Sequence, residues 1–166
     1  MHGGGRRFES GILHHHFCLT GGPLVVFRRI LTTTDGSDAS IRGIRAALEI
    51  VGSYQAEFIV LTVVQVPHSL AIASHMDQHV INEYVERTAQ EGLRPALSVV
   101  RDSGLGAEVK VVVGSPPELI LDEAIACHAD LVVMGRRNWA DAKELVLGSV
   151  SQRVARSITV PLLLVP

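Results

Sequence analysis

The sequence is poor in aromatic residues, at 4% of 166, and has only two cysteines. Few aromatics leave few platforms for stacking single-stranded bases. The charge is balanced, 15 Lys and Arg against 17 Asp and Glu for a net −2, so no basic face is implied and nucleic acid is not an expected partner. Cys18 and Cys127 form neither a CxxC pair nor a metal-ligand spacing, which fits free thiols in a reducing compartment. Cys127 falls in a predicted helix and is expected to pack as a small hydrophobe. No apolar run approaches the roughly 18 residues of a membrane helix. His14-His-His16 interrupts what would be a signal-peptide core, and no small-x-small cleavage site follows. These absences read as a cytoplasmic protein with no membrane partner. Several enzyme signatures are also missing: the lysine P-loop GxxxxGK[ST], the G-x-S-x-G elbow and HExxH. A phosphoreceiver domain would want an acidic pair after the first strand and an Asp after the third, where this chain has Gly114.

What remains is apolar and regularly punctuated. The chain is 47% hydrophobic with a mean hydropathy of +0.29, enough for a real core in one domain. Residues 1–24, with Gly3-Gly-Gly5, Gly21-Gly22 and no periodicity, read as a flexible, disordered leader. Residues 25–166 read as the folded domain. Arg29-Ile-Leu-Thr-Thr33 is a short buried strand, and Ser37 or Asp38 caps a helix with apolar residues Ile41, Ile44, Leu48 and Val51, stopped by Gly52. Glu57-Phe-Ile-Val-Leu-Thr-Val-Val64 is a second strand, followed by a polar segment. A helix over residues 77–102 then carries Gly92 and Pro95, which predict a kink or break. Glu108-Val-Lys-Val-Val-Val113 is the third strand. Ser115-Pro-Pro-Glu118 has the form of a capping box opening a helix to about residue 128. Residues 130–134 form the fourth strand, Ser149-Val-Ser-Gln152 a second capping box with a helix through residue 156, and residues 160–165 the last strand. The order βαβαβαβαβ, with strands apolar on both faces, predicts an α/β fold: one doubly wound, Rossmann-like, five-stranded parallel sheet with helices on both faces.

Ligands on such sheets bind beyond the carboxyl ends of the strands at the switch point, here the loops over residues 34–37 and 135–149. Asp35, next to Thr34, can accept hydrogen bonds from an adenine amino group or a ribose, or can simply be the first residue of an Asp-Gly turn. Gly135 permits close approach of a backbone to a ligand. The amides of Gly148, Ser149 and Val150 can form an anion nest or merely open a helix. Ser151 could be a further phosphate ligand. Arg136 and Arg137 could pair with phosphates or stand solvated. His75 and His79, four apart, and the three leader histidines make only weak metal sites, and no metal is expected there.

These residues together resemble the universal stress protein family. Its G-x2-G-x9-G-[ST] motif is matched by Gly135-Arg-Arg-Asn138, nine residues, then Gly148-Ser149. Arg29-Ile-Leu-Thr-Thr-Thr-Asp-Gly-Ser37, Val113-Gly-Ser-Pro-Pro-Glu118 and Val160-Pro-Leu-Leu-Leu-Val165 are similar as well, so the match spans roughly residues 27–166. The resemblance implies a sheet of the adenine-nucleotide α-hydrolase type and a homodimer. It implies bound ATP, ADP or AMP, with Mg2+ as a possible companion. Asp35 and Val63 would face adenine (Val64 being the alternative), and Gly135, Gly148, Ser149 and Ser151 would hold ribose and phosphates. One departure stands out: the motif's second glycine is Asn138, the non-glycine residue that best tolerates left-handed backbone. The implied role is a stress regulator or sensor with at most slow ATP hydrolysis, since no base, metal pair or nucleophile accompanies the loop. The alternative is a dimeric interaction module that binds no nucleotide, favoured by Asn138 and the bulky Trp139 in the loop.

Overall fold

A computed structural model describes residues 27–73, 78–136 and 148–166. The leader with Cys18, His75, and residues 137–139 with Asn138 lie outside the described residues. Five strands, β1 (Arg29–Thr33), β2 (Glu57–Val64), β3 (Glu108–Val113), β4 (Leu131–Gly135) and β5 (Leu162–Val165), form one sheet in the order β3-β2-β1-β4-β5. Every neighbouring pair is parallel, as the apolar runs predicted. The helices are α1 (Asp38–Tyr54), α2 (His68–Ala73), α3 (Gln78–Ser103), α4 (Pro116–Ala126) and α5 (Ser149–Ser157).

Strand alternation sorts the core into two layers. Ile30, Phe58, Val60 and Val133 meet Ile44 and Leu48 of α1 and Ala96 and Val100 of α3. Leu31, Ile59, Leu61 and Val132 meet Ile120 and Ala124 of α4 and Val154 of α5. Cys127 joins this second layer as a buried free thiol, and burial pushes its pKa up, in keeping with a packing role. At the edge, β3 is poorly covered: Val109, Val111 and Val113 share one face and are 40%, 43% and 52% exposed. Lys110, on the other face, turns in to Glu123 of α4 at 3.0 Å. That hydrogen bond is the largest cause holding the Lys110 ammonium above its usual range.

Several boundaries differ from the sequence reading. Gly52 does not stop α1, which runs on to Tyr54, whose ring meets Phe27 edge-on at 5.4 Å. Gln55 takes the left-handed cap conformation (φ 54°) and donates its amide to the Val51 carbonyl. The polar segment after β2 contains α2, a short helix without a clear apolar period. Helix α3 is one element through Gly92 and Pro95. At α4, Ser115 is the N-cap but makes no side-chain cap bond; its hydroxyl bonds the Glu118 carboxylate instead of the Glu118 amide. At α5, Gly148 is the N-cap, which makes Ser149 the first helical residue and not a capping group. Strand β4 begins at Leu131 because Asp130 clamps the start of β1, accepting the amides of Arg28 (2.8 Å) and Arg29 (3.2 Å). Strand β5 starts only after Pro161, whose carbonyl accepts from the Val132 amide.

Strand β1 lies between β2 and β4, and α1, which follows β1, and α5, which follows β4, pack on opposite faces of the sheet, so a crevice opens between them. One wall of that crevice is a backbone-to-backbone contact. A Cβ at Gly135 would stand 1.8 Å from the Ala39 carbonyl oxygen, and one at Gly43 would stand 2.7 Å from the Gly135 nitrogen. The end of β4 therefore rests directly on α1. Gly135→Ala should force these elements apart and cost at least about 1–3 kcal/mol, as overpacking does. Urea unfolding checks this: the midpoint should fall with an unchanged m-value. An unchanged midpoint would mean that α1 shifts off β4 freely.

Candidate functional site

At the carboxyl end of the sheet the crevice widens into a cavity of about 460 Å³. Its floor is the α4/α5 face of three strands: Thr33 of β1, paired with Leu61 of β2, then Val63 two residues on, and Met134 of β4. Pro116 and Ile120, one turn apart on α4, line one side, and residues 148–151 line another. Asp35, Ser37, Ala39 and Ser40 complete it from β1 and α1.

The β1–α1 loop is held by buried hydrogen bonds. Thr34, 5% exposed, donates its hydroxyl to the Gly92 carbonyl of α3 (3.2 Å) and accepts the Gly36 amide (3.1 Å). Its own carbonyl accepts the Thr62 hydroxyl at 2.7 Å, and its amide donates to the Leu61 carbonyl at 2.9 Å. With those atoms committed, Thr34 fixes the loop and is not a spare donor. Asp35 Oδ1 accepts the Ser37 amide at 3.0 Å and the Ser37 hydroxyl at 2.5 Å. Gly36 takes φ +77°, the left-handed region that an Asp-Gly turn needs. Ser37, the N-cap of α1, also accepts the Ser40 amide at 3.4 Å.

The N-termini of α1, α4 and α5 at this end of the sheet are not equivalent. Helix α1 is capped by Ser37 and carries Asp38 in its first turn. Helix α4 carries Glu118 in its first turn. Helix α5 starts at Gly148 with no side-chain cap bond and no acidic residue in its first turn. Among the described residues, no side chain meets its positive end. Ser151, 4% exposed, donates its hydroxyl to the Gly148 carbonyl at 3.0 Å, which fixes that first turn.

Eight of the ten residues expected from the sequence line this one cavity: Thr34, Asp35, Val63, Gly135, Gly148, Ser149, Val150 and Ser151. Arg136 does not; its backbone amide donates to the Val165 carbonyl (2.6 Å) beside β5. Asn138 lies outside the described residues. Sequence reasoning missed Leu61, although period-two alternation from Val63 puts it on the same face. It also missed Pro116 and Ile120, whose signal was a helix start following a strand end. Among the described residues, no group of three His, Cys, Asp or Glu could hold a metal, and no helix is long and apolar enough to cross a membrane.

The family model described as "Universal stress protein family" matches residues 27–166. Among curated relatives, the universal stress protein YxiE of Bacillus subtilis is 33% identical over 147 residues, covering 84% of this chain and 99% of the relative. Among solved structures, a universal stress protein in complex with cAMP is 26% identical with a TM-score of 0.65, covering 85% of this chain and 98% of that one. The Archaeoglobus fulgidus universal stress protein in complex with dAMP is 23% identical with a TM-score of 0.57, covering 85% and 99%, and supports the fold.

Beside the cavity, Glu118 also pairs with Arg153 of α5. The Ser115 hydroxyl is the largest cause holding the Glu118 carboxyl below its usual range. A depressed folded pKa contributes stability that is present above the unfolded carboxylate value and is lost as pH falls through the folded one. Glu118→Gln should therefore be slightly less stable than the parent at neutral pH, by a small amount because the group is exposed. Urea midpoints measured across pH should converge in acid; a gap that persists there would rule out titration of Glu118 as its source.

Proposed function

This chain belongs to the universal stress protein family, and on that footing we propose that it binds an adenine nucleotide in the cavity at the switch point. The observation that carries the reading is one open cavity that has on its lining both a carboxylate, Asp35, and the N-terminus of α5, which has no side-chain cap bond among the described residues. These two features suit opposite ends of a nucleotide. A carboxylate accepts the adenine amino group or a ribose hydroxyl. The amides of Ser149 and Val150, at the positive end of α5, suit phosphate oxygens. Val63 and Leu61 offer an apolar surface to the base. A relative 26% identical is described as a complex with cAMP, which supports the adenine class.

ATP is the proposed ligand, with ADP and AMP as relatives of the same chemistry. A Mg2+ arriving with ATP would be held mainly by phosphates and water. The proposed role is a regulator or sensor in the stress response, with hydrolysis at most slow. We place it in the cytoplasm, where Cys127 stays a thiol. We also propose a homodimer: β5 is an edge strand, and its Leu163 is 37% exposed.

Two measurements test this. ATP should raise the melting temperature in step with the logarithm of its concentration, as a ligand of the folded state does. Asp35→Ala should weaken binding by roughly ten- to a hundredfold in calorimetry, the loss expected for a hydrogen bond to a charged group. A melting temperature unmoved by saturating ATP, ADP and AMP would overturn the nucleotide reading in favour of a non-nucleotide interaction module. Light scattering should give twice the 17.9 kDa chain mass; a monomer at every accessible concentration would overturn the dimer.

A further inference from the structure

Helix α3 contributes no residue to the cavity lining, yet its middle is seated on the loop that carries Asp35. A Cβ on Gly36 would lie 2.9 Å from the Glu91 carbonyl oxygen and 3.1 Å from the Gly92 Cα. A Cβ on Gly92 would lie 3.3 Å from the Thr62 hydroxyl and 3.6 Å from the Asp35 carbonyl carbon. Two glycines therefore face each other across this contact, and the Thr34 hydroxyl ties it by donating to the Gly92 carbonyl.

The same stretch of α3 is where the helix is least able to hold itself together. Gly92 is a poor helix former. Pro95 has no amide hydrogen for the Glu91 carbonyl, and its ring crowds that oxygen. On the carboxyl side of this turn, Leu93, Ala96, Val99 and Val100 belong to the α1/α3 core layer. On the amino side, residues 78–88 include no fully buried residue; Val80 is 39% exposed, and Ile81, Tyr84 and Val85 are half-buried. Half of α3 is anchored, half is an arm, and the junction rests on the Asp35 loop.

We infer that α3 is a ligand-responsive arm, in which the turn over residues 91–95 is a fulcrum that sets the Asp35 loop and residues 78–88 together. The coupling runs through contacts already described: Gly36 to Thr34, Thr34 to the Gly92 carbonyl, and the Glu91–Gly92 backbone against Gly36. A molecule that orders the Asp35 loop then also orders the arm, and the arm presents that occupancy at the surface. Only the ligand half of this inference rests on the nucleotide reading.

Hydrogen exchange read by mass spectrometry on the full chain tests it in two arms. Pro95→Ala restores an amide that can bond the Glu91 carbonyl, and alanine is a good helix former, so the variant keeps its fold. Without ligand, this variant should slow exchange in α3 around residues 88–99 by about tenfold and, with it, that of the Gly36 and Ser37 amides by at least about fivefold, while β4 is unmoved. In the parent protein, ATP at saturation should slow residues 78–92 as well as residues 34–37. Slowing of the helix with no change at Gly36 and Ser37 would overturn the coupling. So would protection of the loop by ATP with α3 unchanged. Absence of ATP binding in parallel calorimetry would sink the nucleotide reading, while the ligand-free arm still decides whether helix and loop move together.

Discussion

The end of β4 and the first turns of α1 approach so closely that neither can carry a side chain between them, and the shape of the site follows from that contact. Gly135 rests against the Ala39 carbonyl, with Gly43 behind it. The approach fixes how far α1 leans over the sheet. It therefore fixes where the β1–α1 loop emerges and the distance from Asp35 to the start of α5. Hydrophobic burial on the two faces holds the layers together. It is non-directional, and would accept a slightly shifted α1 almost as readily. The steric limit at Gly135 selects one position.

A second constraint acts on the other flank of the loop. Thr34 and Thr62 are buried hydroxyls whose partners are backbone carbonyls. A buried hydroxyl without a partner is costly, so each bond pins a strand end to its neighbour. Thr34 holds α3, the Gly36 amide and the β2 strand end at once. The loop carrying Asp35 is thus tied to α3 and β2 by the polar groups beneath it. The flanking network shapes the Asp35 region into one edge of the cavity.

The layered architecture was legible in the sequence because period and punctuation agreed. The strand at Arg29–Thr33 and those at Glu57–Val64 and Glu108–Val113 fall where apolar runs end at Gly, Pro or an Asp-Gly pair. What the sequence hid were choices made by tertiary contact. Ser115 and Glu118 have the spacing of a capping box, yet the two side chains bond each other and the Ser115 hydroxyl makes no cap bond. Gly92 and Pro95 suggested a break, but the core contacts of Leu93 and Ala96 carry the helix through. Gly135 is the most instructive case. Its position in a glycine motif suggested close approach to a ligand, whereas the steric reason on view is close approach to α1. A glycine there reports the packing of the fold, and a chain of this family that bound no nucleotide would need it equally. Leu61 and Ile120 escaped notice because apolar lining residues look like core until a cavity opens beside them.

The two outer strands of the sheet have unlike defences against other chains. All strands are parallel, so the β3 edge of one copy could continue the β5 edge of another in the same sense. Such a head-to-tail contact does not close on itself. An edge strand is usually guarded by charge, but Lys110 is folded inward to Glu123, and valines occupy the open face of β3. At the far edge, β5 is four residues long and bracketed by Pro161 and Pro166, neither of which can donate to a ladder, so little backbone pairing is available there. A contact at β5 would therefore rest on side chains such as Leu163 more than on backbone ladder bonds, and lengthening the strand would shift that balance toward the ladder.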